Sequence, residues 1–402
     1  MEEKKLAQFF EKYLTRESIF INKKAIQTDY KPTDVLHRDD QVNAVAGVLA
    51  PILKGERPNN LFIYGYPGTG KTLVALFTTE KIQQLAQERK IPVRVSYVNC
   101  RLRRTADTEY RLVVQLAKEL GKTLPATGLP TDEIYRVFYE ELDKQQCTML
   151  LVLDEIDNLI GRADDGILYN LVRINEQLQH SRIVIVGISN NLNFKDGLDQ
   201  RVRSSLSEEE MSFPRYNAMQ LLDILKQRAA TAFLPGVVEE GVLEKCAASA
   251  AHENGDARRA ISLLRTAAEL CEREGLSRIS LKHIDLAGPT MEHERVIETI
   301  RAQPPQYNAT LYAVLHCCGQ RQQAVFTGEI YEHYQQLCSQ THLRPLTQRR
   351  ISDILQEFDE LGIIQSTVIS KGRYGRTREI TLSLPPDTLT QAHDILKEGL
   401  SL

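Results

Sequence analysis

Long apolar runs and paired cysteines are both missing from this 402-residue sequence. No stretch of about 18 apolar residues exists, which excludes a membrane-spanning helix. The first segment, MEEKKLAQFFEKYLTRESIF, has mixed charge and lacks the apolar core of a signal peptide. The seven cysteines are scattered, with no CxxC pair and no histidine at zinc spacing: Cys100, Cys147, Cys246, Cys271, Cys317, Cys318 and Cys338. We therefore expect an intracellular protein whose cysteines are reduced and structural.

An excess of basic residues is also absent. The 50 Lys and Arg residues are balanced by 53 Asp and Glu residues, which gives a formal net charge of −3. This balance excludes a protein that coats nucleic acid through its overall charge. It leaves room for a local basic patch, so any contact with DNA has to be sought segment by segment.

Apolar runs that are typical of strands alternate with helical segments in the first half of the chain. This alternation indicates an α/β unit with a mostly parallel sheet. Four continuous apolar runs predict strands buried on both faces: LFIY (61–64), VRVSYVN (93–99), MLLVLD (149–154) and RIVIVGIS (182–189). A segment that ends at Pro214 can supply a short fifth strand.

The second half of the chain is helical before it changes again. From Tyr216 onward, apolar residues recur three and four apart, and Gly255 and Gly275 are expected to follow helix ends. After GPT (288–290), the segment MEHERVIETIRAQPPQ predicts a separate helix that ends at paired prolines. We place an α/β P-loop domain at 1–207, an all-helical lid at 208–290 and a third domain at 291–402.

A glycine-rich loop is the most specific motif. It fits GxxxxGK[ST], lies between a predicted strand and a predicted helix, and consists of Gly65, Tyr66, Pro67, Gly68, Thr69, Gly70, Lys71 and Thr72. Backbone N–H groups of such a loop, with the N-terminus of the next helix, bind phosphate oxygens. Lys71 can reach the β- and γ-phosphates, and the Thr72 hydroxyl can ligate Mg²⁺. The loop therefore predicts that ATP or ADP binds with Mg²⁺.

Polar residues end two other buried strands. Asp154 and Glu155 follow MLLVL, and Asn190 follows IVIVGIS. The carboxyl ends of parallel strands meet at one edge of a sheet, where the phosphate loop also opens. Asp154 is suited to hold Mg²⁺, Glu155 to polarise the attacking water, and Asn190 to orient that water. Read alone, Asp154 and Glu155 could also be an acidic helix cap, and Asn190 a turn former.

These motifs, in this order, resemble those of the AAA+ ATPases: GYPGTGKT, LVLDEID, VGISNN and, in the helical lid, GDARRAISLLR. The resemblance implies that Asn190 is at the sensor-1 position and that Arg258 is the sensor-2 arginine that contacts the γ-phosphate. It also implies that Arg201 is an arginine finger offered to a neighbour's nucleotide, with Arg203 as the near alternative.

A closer resemblance covers nearly the whole chain. YKP (30–32), LHRDDQ (36–41), VNCR (98–101) and LDQRVRSSL (198–206) are similar to segments of archaeal origin-recognition and helicase-loading initiators, single-chain relatives of the eukaryotic origin recognition complex subunits. By this resemblance, YKP together with LHRDDQ matches the adenine-side entry segment of the family. In that family, an insertion near 101–128 touches DNA, for which Arg101, Arg103 and Arg104 are the candidates; a solvated basic turn is the alternative.

Three helical segments and two strands end the chain. The helical segments are TLYAVLHCCGQ, FTGEIYEHYQQLCSQ and TQRRISDILQEFDELG, and the strands IIQSTVIS and REITLSL flank the tip KGRYGRT. Three helices and a β-hairpin form a winged helix, a variant of helix-turn-helix. The third helix is the candidate recognition helix, with Gln348, Arg349 and Arg350 in the first turn, where side chains reach base edges or phosphates.

The hairpin tip is the local basic patch. Its candidate DNA contacts are Lys371, Arg373, Tyr374, Arg376 and Arg378. Neutralising phosphates makes affinity sensitive to salt, and a wing commonly enters the minor groove. Acids late in the third helix are expected to face away from DNA: Asp353, Glu357, Asp359 and Glu360. Protein–protein binding by this module stays an alternative.

The leading hypothesis is a replication initiator that grips double-stranded origin DNA as an ATP-controlled clamp and helps to load the replicative helicase. The resemblance implies slow ATP hydrolysis, paralogous initiators as partners, a cytoplasmic, nucleoid-associated location and no membrane. An AAA+ motor or clamp-loader-like ATPase, an ATP-sensing winged-helix regulator of transcription and an ATP-gated protein-binding module remain as alternatives.

Overall fold

The structure is a computed structural model. It describes residues 18–101, 109–125, 127–160, 166–194, 198, 200, 203, 208–320, 325–370, 376–400 and 402. Contacts within the chain divide it into two compact units, Met1–Ile284 and Asp285–Leu402. Each unit has an apolar core of its own.

A five-stranded sheet lies at the centre of the first unit. Its strands are β1 (Asn60–Gly65), β2 (Val93–Asn99), β3 (Thr148–Asp154), β4 (Arg182–Ser189) and β5 (Glu208–Phe213). They lie in the order β2-β3-β4-β1-β5, and every neighbouring pair is parallel. The predicted α/β class with a parallel sheet is confirmed, and so is the short strand before Pro214.

Helices cover both faces of this sheet. They are α1 (Asp39–Leu49), α2 (Lys71–Glu88), α3 (Glu109–Glu119), α4 (Thr131–Lys144), α5 (Asp157–Ile160) and α6 (Gly166–Arg173), with short 3₁₀ turns at Lys23–Ile26, Ala50–Lys54 and Ile174–Glu176. Successive residues of a strand point to opposite faces. Leu150 and Leu151 accordingly belong to separate apolar clusters, one on each face. Burial on both faces explains why β1, β3 and β4 are almost continuously apolar.

Strand β2 departs from the prediction that all four apolar runs are buried on both faces. It lies at one edge of the sheet, with β3 as its neighbour. Val98 is buried, but the side chain of Tyr97 is 39% exposed. The apolar pattern did not distinguish an edge strand from a central one, because Tyr and Val are favoured in both.

Three helices follow the sheet within the first unit: α7 (Ala218–Ala232), α8 (Val242–Glu253) and α9 (Ala257–Glu274). Asn217 and Gln220 form a capping box at the start of α7. Gly255 follows α8 with φ of 64°, and Gly275 ends α9 with φ of 76°. Both predicted stops are confirmed, and both need the left-handed backbone that glycine adopts most readily.

The second unit contains the predicted winged helix. Its elements are α10 (Leu281–Ala302, which begins before the boundary), α11 (Pro305–Gln320), β6 (Val325–Phe326), α12 (Thr327–Gln340), α13 (Gln348–Glu360), β7 (Ile364–Ser370), β8 (Arg376–Leu382) and α14 (Pro386–Gly399). The strands form an antiparallel sheet in the order β6-β8-β7. The sequence reading missed β6 and α14.

The predicted break at 288–290 is wrong, because α10 continues through Pro289. Proline inside a helix removes a hydrogen bond and disfavours the helix. Burial opposes this cost, since Ala287 before the proline and Val296 and Ile297 after it are almost completely buried. Tertiary packing thus overrides the local propensity.

None of the helices in the described ranges is both long enough and apolar enough to cross a membrane.

Candidate functional site

One cavity in the first unit gathers most of the residues expected to bind phosphate. It is lined by residues 68–72 of the glycine-rich loop, by Asp154 and Glu155 after β3, and by Asn190 after β4. Arg258 of α9 and a segment around Tyr30 complete the lining. Gly65, Tyr66 and Pro67 belong to the same loop but lie outside this lining. The parallel register explains the convergence, because β1, β3 and β4 end at the same edge of the sheet.

Two positions of the loop require glycine, because side chains of other segments lie close to the loop backbone there. Gly68 has φ of 69°, and a Cβ added there would lie 1.6 Å from Oδ1 of Asp256. Gly70 has φ of 87°, and a Cβ there would lie 2.8 Å from the Tyr216 hydroxyl. Both positions therefore exclude a side chain on steric grounds as well as by backbone conformation.

Lys71, the charged residue of the loop, is buried. Its side chain is 5% exposed, and Nζ donates hydrogen bonds to the carbonyls of Gly65 (2.7 Å) and Tyr66 (2.8 Å) and to Oδ1 of Asn190 (2.8 Å). Burial lowers the pKa of Lys71 to about 8; Asp154 opposes this shift and the positive charge of Arg258 adds to it. The structure thus joins the loop lysine to the residue predicted at the sensor-1 position.

Asp154 is held by three donors. Its Oδ2 accepts hydrogen bonds from the Thr72 hydroxyl at 3.1 Å and from the Tyr97 hydroxyl at 2.8 Å. Its Oδ1 accepts the backbone N–H of Glu155 at 3.0 Å. Thr72 and Asp154, the predicted Mg²⁺ ligands, are therefore adjacent. Sequence reasoning missed Tyr97, which lies two residues before the end of β2, the strand whose last residue, Asn99, is in register with Asp154.

Glu155 adopts a left-handed backbone, with φ of 53°. Such a conformation is uncommon for a non-glycine residue and is often found at functional sites. Its Oε2 lies 3.7 Å from Nη1 of Arg101 and 3.5 Å from Nδ2 of Asn158. Arg101 was predicted to contact DNA. In this structure its 73% exposed side chain pairs with the predicted catalytic carboxylate.

Helix α9 begins against the phosphate loop. Asp256 caps it by accepting the N–H groups of Arg258 and Arg259, and the N–H of Ala257 donates to the Gly68 carbonyl at 3.2 Å. Arg258 lines the cavity, as expected for the sensor-2 position. Asp256 was read only as part of a motif, and the structure shows that its carboxylate occupies the space beside Gly68.

Another part of the cavity is organised by a buried arginine, Arg228, that sequence reasoning missed. Arg228 of α7 donates to the carbonyls of Ala25 (3.2 Å) and Tyr30 (3.0 Å), and its guanidinium lies 4.7 Å from the centre of the Tyr30 ring. No local motif marks Arg228, because its partners are about two hundred positions earlier in the chain. These bonds hold the segment around Tyr30 against α7.

The candidate recognition helix α13 exposes Gln348, Arg349 and Arg350 in its first turn. Its opposite side is buried in the core of the second unit: Ile351, Ile354, Leu355 and Phe358. Arg350 lies 3.8 Å from a carboxylate oxygen of Asp353 and 3.8 Å from one of Glu357. Asp353 and Glu357 lie on the face of Arg350, because positions three and seven residues later share that face. That the acids of this helix face away from DNA stays a prediction.

Arg378 of β8 donates to the side-chain carbonyl of Gln356 at 2.9 Å. The exposed Arg203, the alternative finger, also lies within the described residues. Six predicted site residues lie outside them: Arg103, Arg104, Arg201, Lys371, Arg373 and Tyr374. For Arg376 the structure describes the backbone as the start of β8.

Three family models match successive parts of the chain. One described as an AAA domain covers residues 54–193. One described as the Cdc6 AAA+ ATPase-type lid domain covers 222–288, and one described as the CDC6 C-terminal winged helix domain covers 298–392. The phosphate loop, Asp154, Glu155 and Asn190 thus fall in the first match, Arg258 in the second and α13 in the third, whereas the segment around Tyr30 precedes the first match.

Proteins similar over almost the full length share one description. The chain is 46% identical to an ORC1-type DNA replication protein of Pyrococcus abyssi, over 95% of this chain and 91% of that protein. It is 45% identical to the ORC1-type DNA replication protein 1 of Archaeoglobus fulgidus, over 95% of this chain and 92% of that protein. The chain belongs to the ORC1-type DNA replication proteins.

Solved structures agree with this assignment to the ORC1-type family. The ORC1 protein of Aeropyrum pernix, solved in complex with DNA, is 40% identical with a TM-score of 0.86, and the match covers 95% of this chain and 98% of that one. Cdc6p of Pyrobaculum aerophilum, at 24% identity and a TM-score of 0.59, shares the fold. The resemblance to archaeal origin-recognition initiators is confirmed, as are the AAA+ domain, the lid and the winged helix.

The cavity of this ORC1-type chain fits the adenine nucleotide that an AAA+ ATPase domain binds. The ammonium of Lys71 is buried, yet its hydrogen-bond acceptors among the described residues are neutral carbonyl oxygens. A buried cation whose hydrogen-bond acceptors are all neutral favours an additional anion. The oxygen pair of Thr72 and Asp154 is the ligand type that Mg²⁺ prefers, so these residues fit a magnesium ion beside the phosphates.

Proposed function

We propose that this protein is a replication initiator that binds double-stranded origin DNA as an ATP-controlled clamp, hydrolyses ATP slowly and helps to load the replicative helicase. The observation that carries the proposal is the contact between α9 and the phosphate loop, through Ala257 and Gly68. Because Arg258 lines the same cavity, bound phosphates would influence the position of the lid.

Each predicted site residue has a role in this proposal. Lys71 binds the β- and γ-phosphates, and Thr72 and Asp154 hold Mg²⁺, whose chemistry is to neutralise phosphate charge. Glu155 polarises the attacking water, and Asn190 orients it. Arg258 binds the γ-phosphate from the lid, where a planar, permanently charged guanidinium is suited to the task. Arg201 remains the predicted arginine finger.

DNA binding by this chain is supported by its relatives and by the second unit. The relative from Aeropyrum pernix was solved with DNA, and it matches this chain over 95% of its length. Helix α13 exposes Gln348 and Arg349 at its N-terminus, as recognition helices do. The basic wing remains a prediction, as do the contacts from Arg101, Arg103 and Arg104.

Slow hydrolysis is supported by the surroundings of Glu155. Its carboxylate lies against Arg101 and Asn158, which compete with water for the same oxygens. We expect the purified protein to hydrolyse one equivalent of ATP and to keep ADP bound for longer than the hydrolysis takes. Rapid-quench measurement of product formation, with a filter-binding measurement of ADP release, tests this. Steady multiple turnover that DNA accelerates would favour a motor.

Binding to origin DNA is tested with fluorescence anisotropy on duplex fragments of the genome, over a range of salt concentrations. The expected result is tight binding to a few repeated intergenic fragments, with log affinity falling linearly as log salt rises. A charge reversal of Arg373 and Arg376 tests the wing and should weaken this binding, with the reversal of two exposed lysines of the first unit, Lys81 and Lys226, as a control of equal charge change. Weak, sequence-independent binding by the wild-type protein would contradict the proposal.

Helicase loading has its own test. The purified protein on a bound origin fragment is mixed with the replicative helicase of the same organism, and retention of helicase on the DNA is measured with ATP and with ADP. Retention that needs both the initiator and its DNA site is expected. Equal retention on DNA without initiator would remove helicase loading from the proposal and leave origin binding in place.

A further inference from the structure

Arg38 is among the largest fully buried side chains of the protein, at 2% exposure. It immediately precedes α1 and does not cap that helix with its side chain. Taking an arginine out of water is costly, and an apolar residue of similar volume fills such a space at lower cost. A buried arginine at this position therefore needs a specific explanation. The resemblance of LHRDDQ to the adenine-side segment of the family does not explain why Arg38 is buried.

The guanidinium of Arg38 is held by two segments of the first unit that are distant in sequence. Nε donates to the Thr69 carbonyl at 3.0 Å, and Nη2 donates to the Pro214 carbonyl at 2.6 Å. The ring of Tyr216 lies under the guanidinium, 3.9 Å from its carbon to the ring centre. Burial lowers the pKa of Arg38, which Tyr216 partly offsets. These contacts join the phosphate loop to the link between β5 and α7.

The bond to Thr69 determines the direction of a neighbouring donor. A trans peptide unit is planar, with its C=O and N–H pointing in opposite directions, and the described residues contain no cis peptide bond. Because the Thr69 carbonyl points to Arg38, the Gly70 N–H of the same peptide unit points away from Arg38. Thr69 and Gly70 both line the cavity, whereas Arg38 is not among the residues that line it.

We propose that Arg38 is a positioning residue for the phosphates: it holds the Thr69–Gly70 peptide so that the Gly70 N–H faces the cavity. A hydrogen bond from a charged donor also polarises this peptide, which makes its N–H a stronger donor. The inference rests on the proposal that the cavity binds ATP and ADP. It adds a residue that acts from behind the loop and touches no nucleotide.

The second bond of Arg38 extends this role to the lid. The N–H of Tyr216 donates to the Gly255 carbonyl at 3.3 Å, one residue before the Asp256 cap of α9. The hydroxyl of Tyr216 lies close to Gly70, only 2.8 Å from where a Cβ would be. One buried guanidinium thus links the phosphate loop to residues 214–216, and Tyr216 in turn contacts the residue that precedes the cap of α9.

The test compares Arg38→Met and Arg38→Lys with the wild-type protein by titration calorimetry with ADP and with ATP. Loss of a hydrogen bond to a charged group should raise the Kd of both nucleotides by the same factor, about tenfold to a hundredfold for Met. Lysine keeps the charge but cannot reach both carbonyls, so Arg38→Lys should recover part of the affinity. Thermal unfolding without nucleotide shows whether each variant is folded.

Leu49→Ala is the matched control, because Leu49 is a fully buried residue of α1 that packs in the adjacent core. This substitution should lower thermal stability, because it leaves a void in the apolar core. The Kd of ADP should stay within about twofold of the wild-type value. Folded Arg38 variants with wild-type affinity, or an equal loss in Leu49→Ala, would overturn the inference. If Arg38→Met fails to fold, Arg38→Lys decides by the same criterion. If the wild-type protein binds neither nucleotide, the proposed function itself fails.

Discussion

The phosphate loop and the first turn of α13 are both candidate binding surfaces, but the protein completes them differently. At the loop, Lys71 is buried and makes three hydrogen bonds to groups that the fold supplies. On α13, Arg349 and Arg350 are exposed, and Arg350 is close to acids of its own helix. The loop is therefore organised before any ligand arrives, whereas the helix face depends on a ligand to define its contacts.

The largest expected effect is at the preorganised surface. Lys71→Ala removes a charge-assisted contact to phosphate and leaves three acceptors without their donor. We expect the Kd of ATP and ADP to rise by at least about a hundredfold, since charged hydrogen bonds in a buried site are strong. Titration calorimetry measures it, with the exposed Lys122→Ala as control. Comparable affinity in both variants would remove the contrast between the two surfaces.

A pH titration sharpens the same contrast. Burial lowers the pKa of Lys71 to about 8 in the free protein. Bound phosphate would raise this pKa, because the anion stabilises the charged ammonium. Nucleotide affinity should therefore be highest below pH 8, where Lys71 is already charged, and should fall as the pH rises above 8. We expect a fall of up to about tenfold per pH unit above that value, with proton uptake on binding. Calorimetry in buffers of different ionisation enthalpy detects the uptake. Lys71→Arg, which stays charged, should bind without this dependence.

Variants of α13 test whether its acids mask its basic residues. Arg349→Ala should weaken DNA binding and reduce the salt slope by about 1, as expected for one lost phosphate contact. Arg350→Ala should cost less, because Arg350 is already close to Asp353 and Glu357. Anisotropy with one duplex at several salt concentrations measures both.

The converse variant is Asp353→Asn, which should strengthen DNA binding because it removes the charge of one of the two acids beside Arg350. Glu398→Gln on α14 makes the same change of net charge and serves as its control. A gain from both variants would show a general charge effect, and a loss from Asp353→Asn would contradict the masking.

The smallest expected effect is at Tyr97. Tyr97→Phe removes one of the two side-chain donors to Oδ2 of Asp154, and Thr72 keeps the other. We expect a severalfold weaker dependence of ATP affinity on Mg²⁺, equivalent to about 1 kcal/mol, with affinity in EDTA unchanged. Magnesium titrations at fixed ATP measure it. An equal loss with and without Mg²⁺ would show that Tyr97 acts only on the loop.

The residues recognised from the sequence and those missed differ in one physical respect. Lys71, Thr72 and Asp154 lie at strand ends in short motifs, so the parallel sheet itself brings them together. Arg38 and Arg228 act through backbone carbonyls that are 31 to 203 positions away. Such partners follow from the packed chain rather than from any local pattern.

The same reasoning explains the fold. Periodicity predicted the sheet, the lid and the winged helix, because burial of a strand or of one helix face leaves a local pattern. It failed for β2 and for Pro289 of α10, where position in the sheet and burial on both sides decide the outcome. It also missed the two-residue strand β6, which is too short to have a period.

We propose that nucleotide at the phosphate loop controls DNA binding by the second unit, and a thermodynamic cycle tests this coupling. The Kd of an origin duplex is measured with ATP and with ADP, and the ATP and ADP affinities are measured with and without that duplex. We expect the change from ADP to ATP to alter DNA affinity by at least about fivefold, and we expect DNA to alter the preference for ATP over ADP by the same factor. Identical DNA affinity with ATP, with ADP and in Lys71→Ala would contradict it.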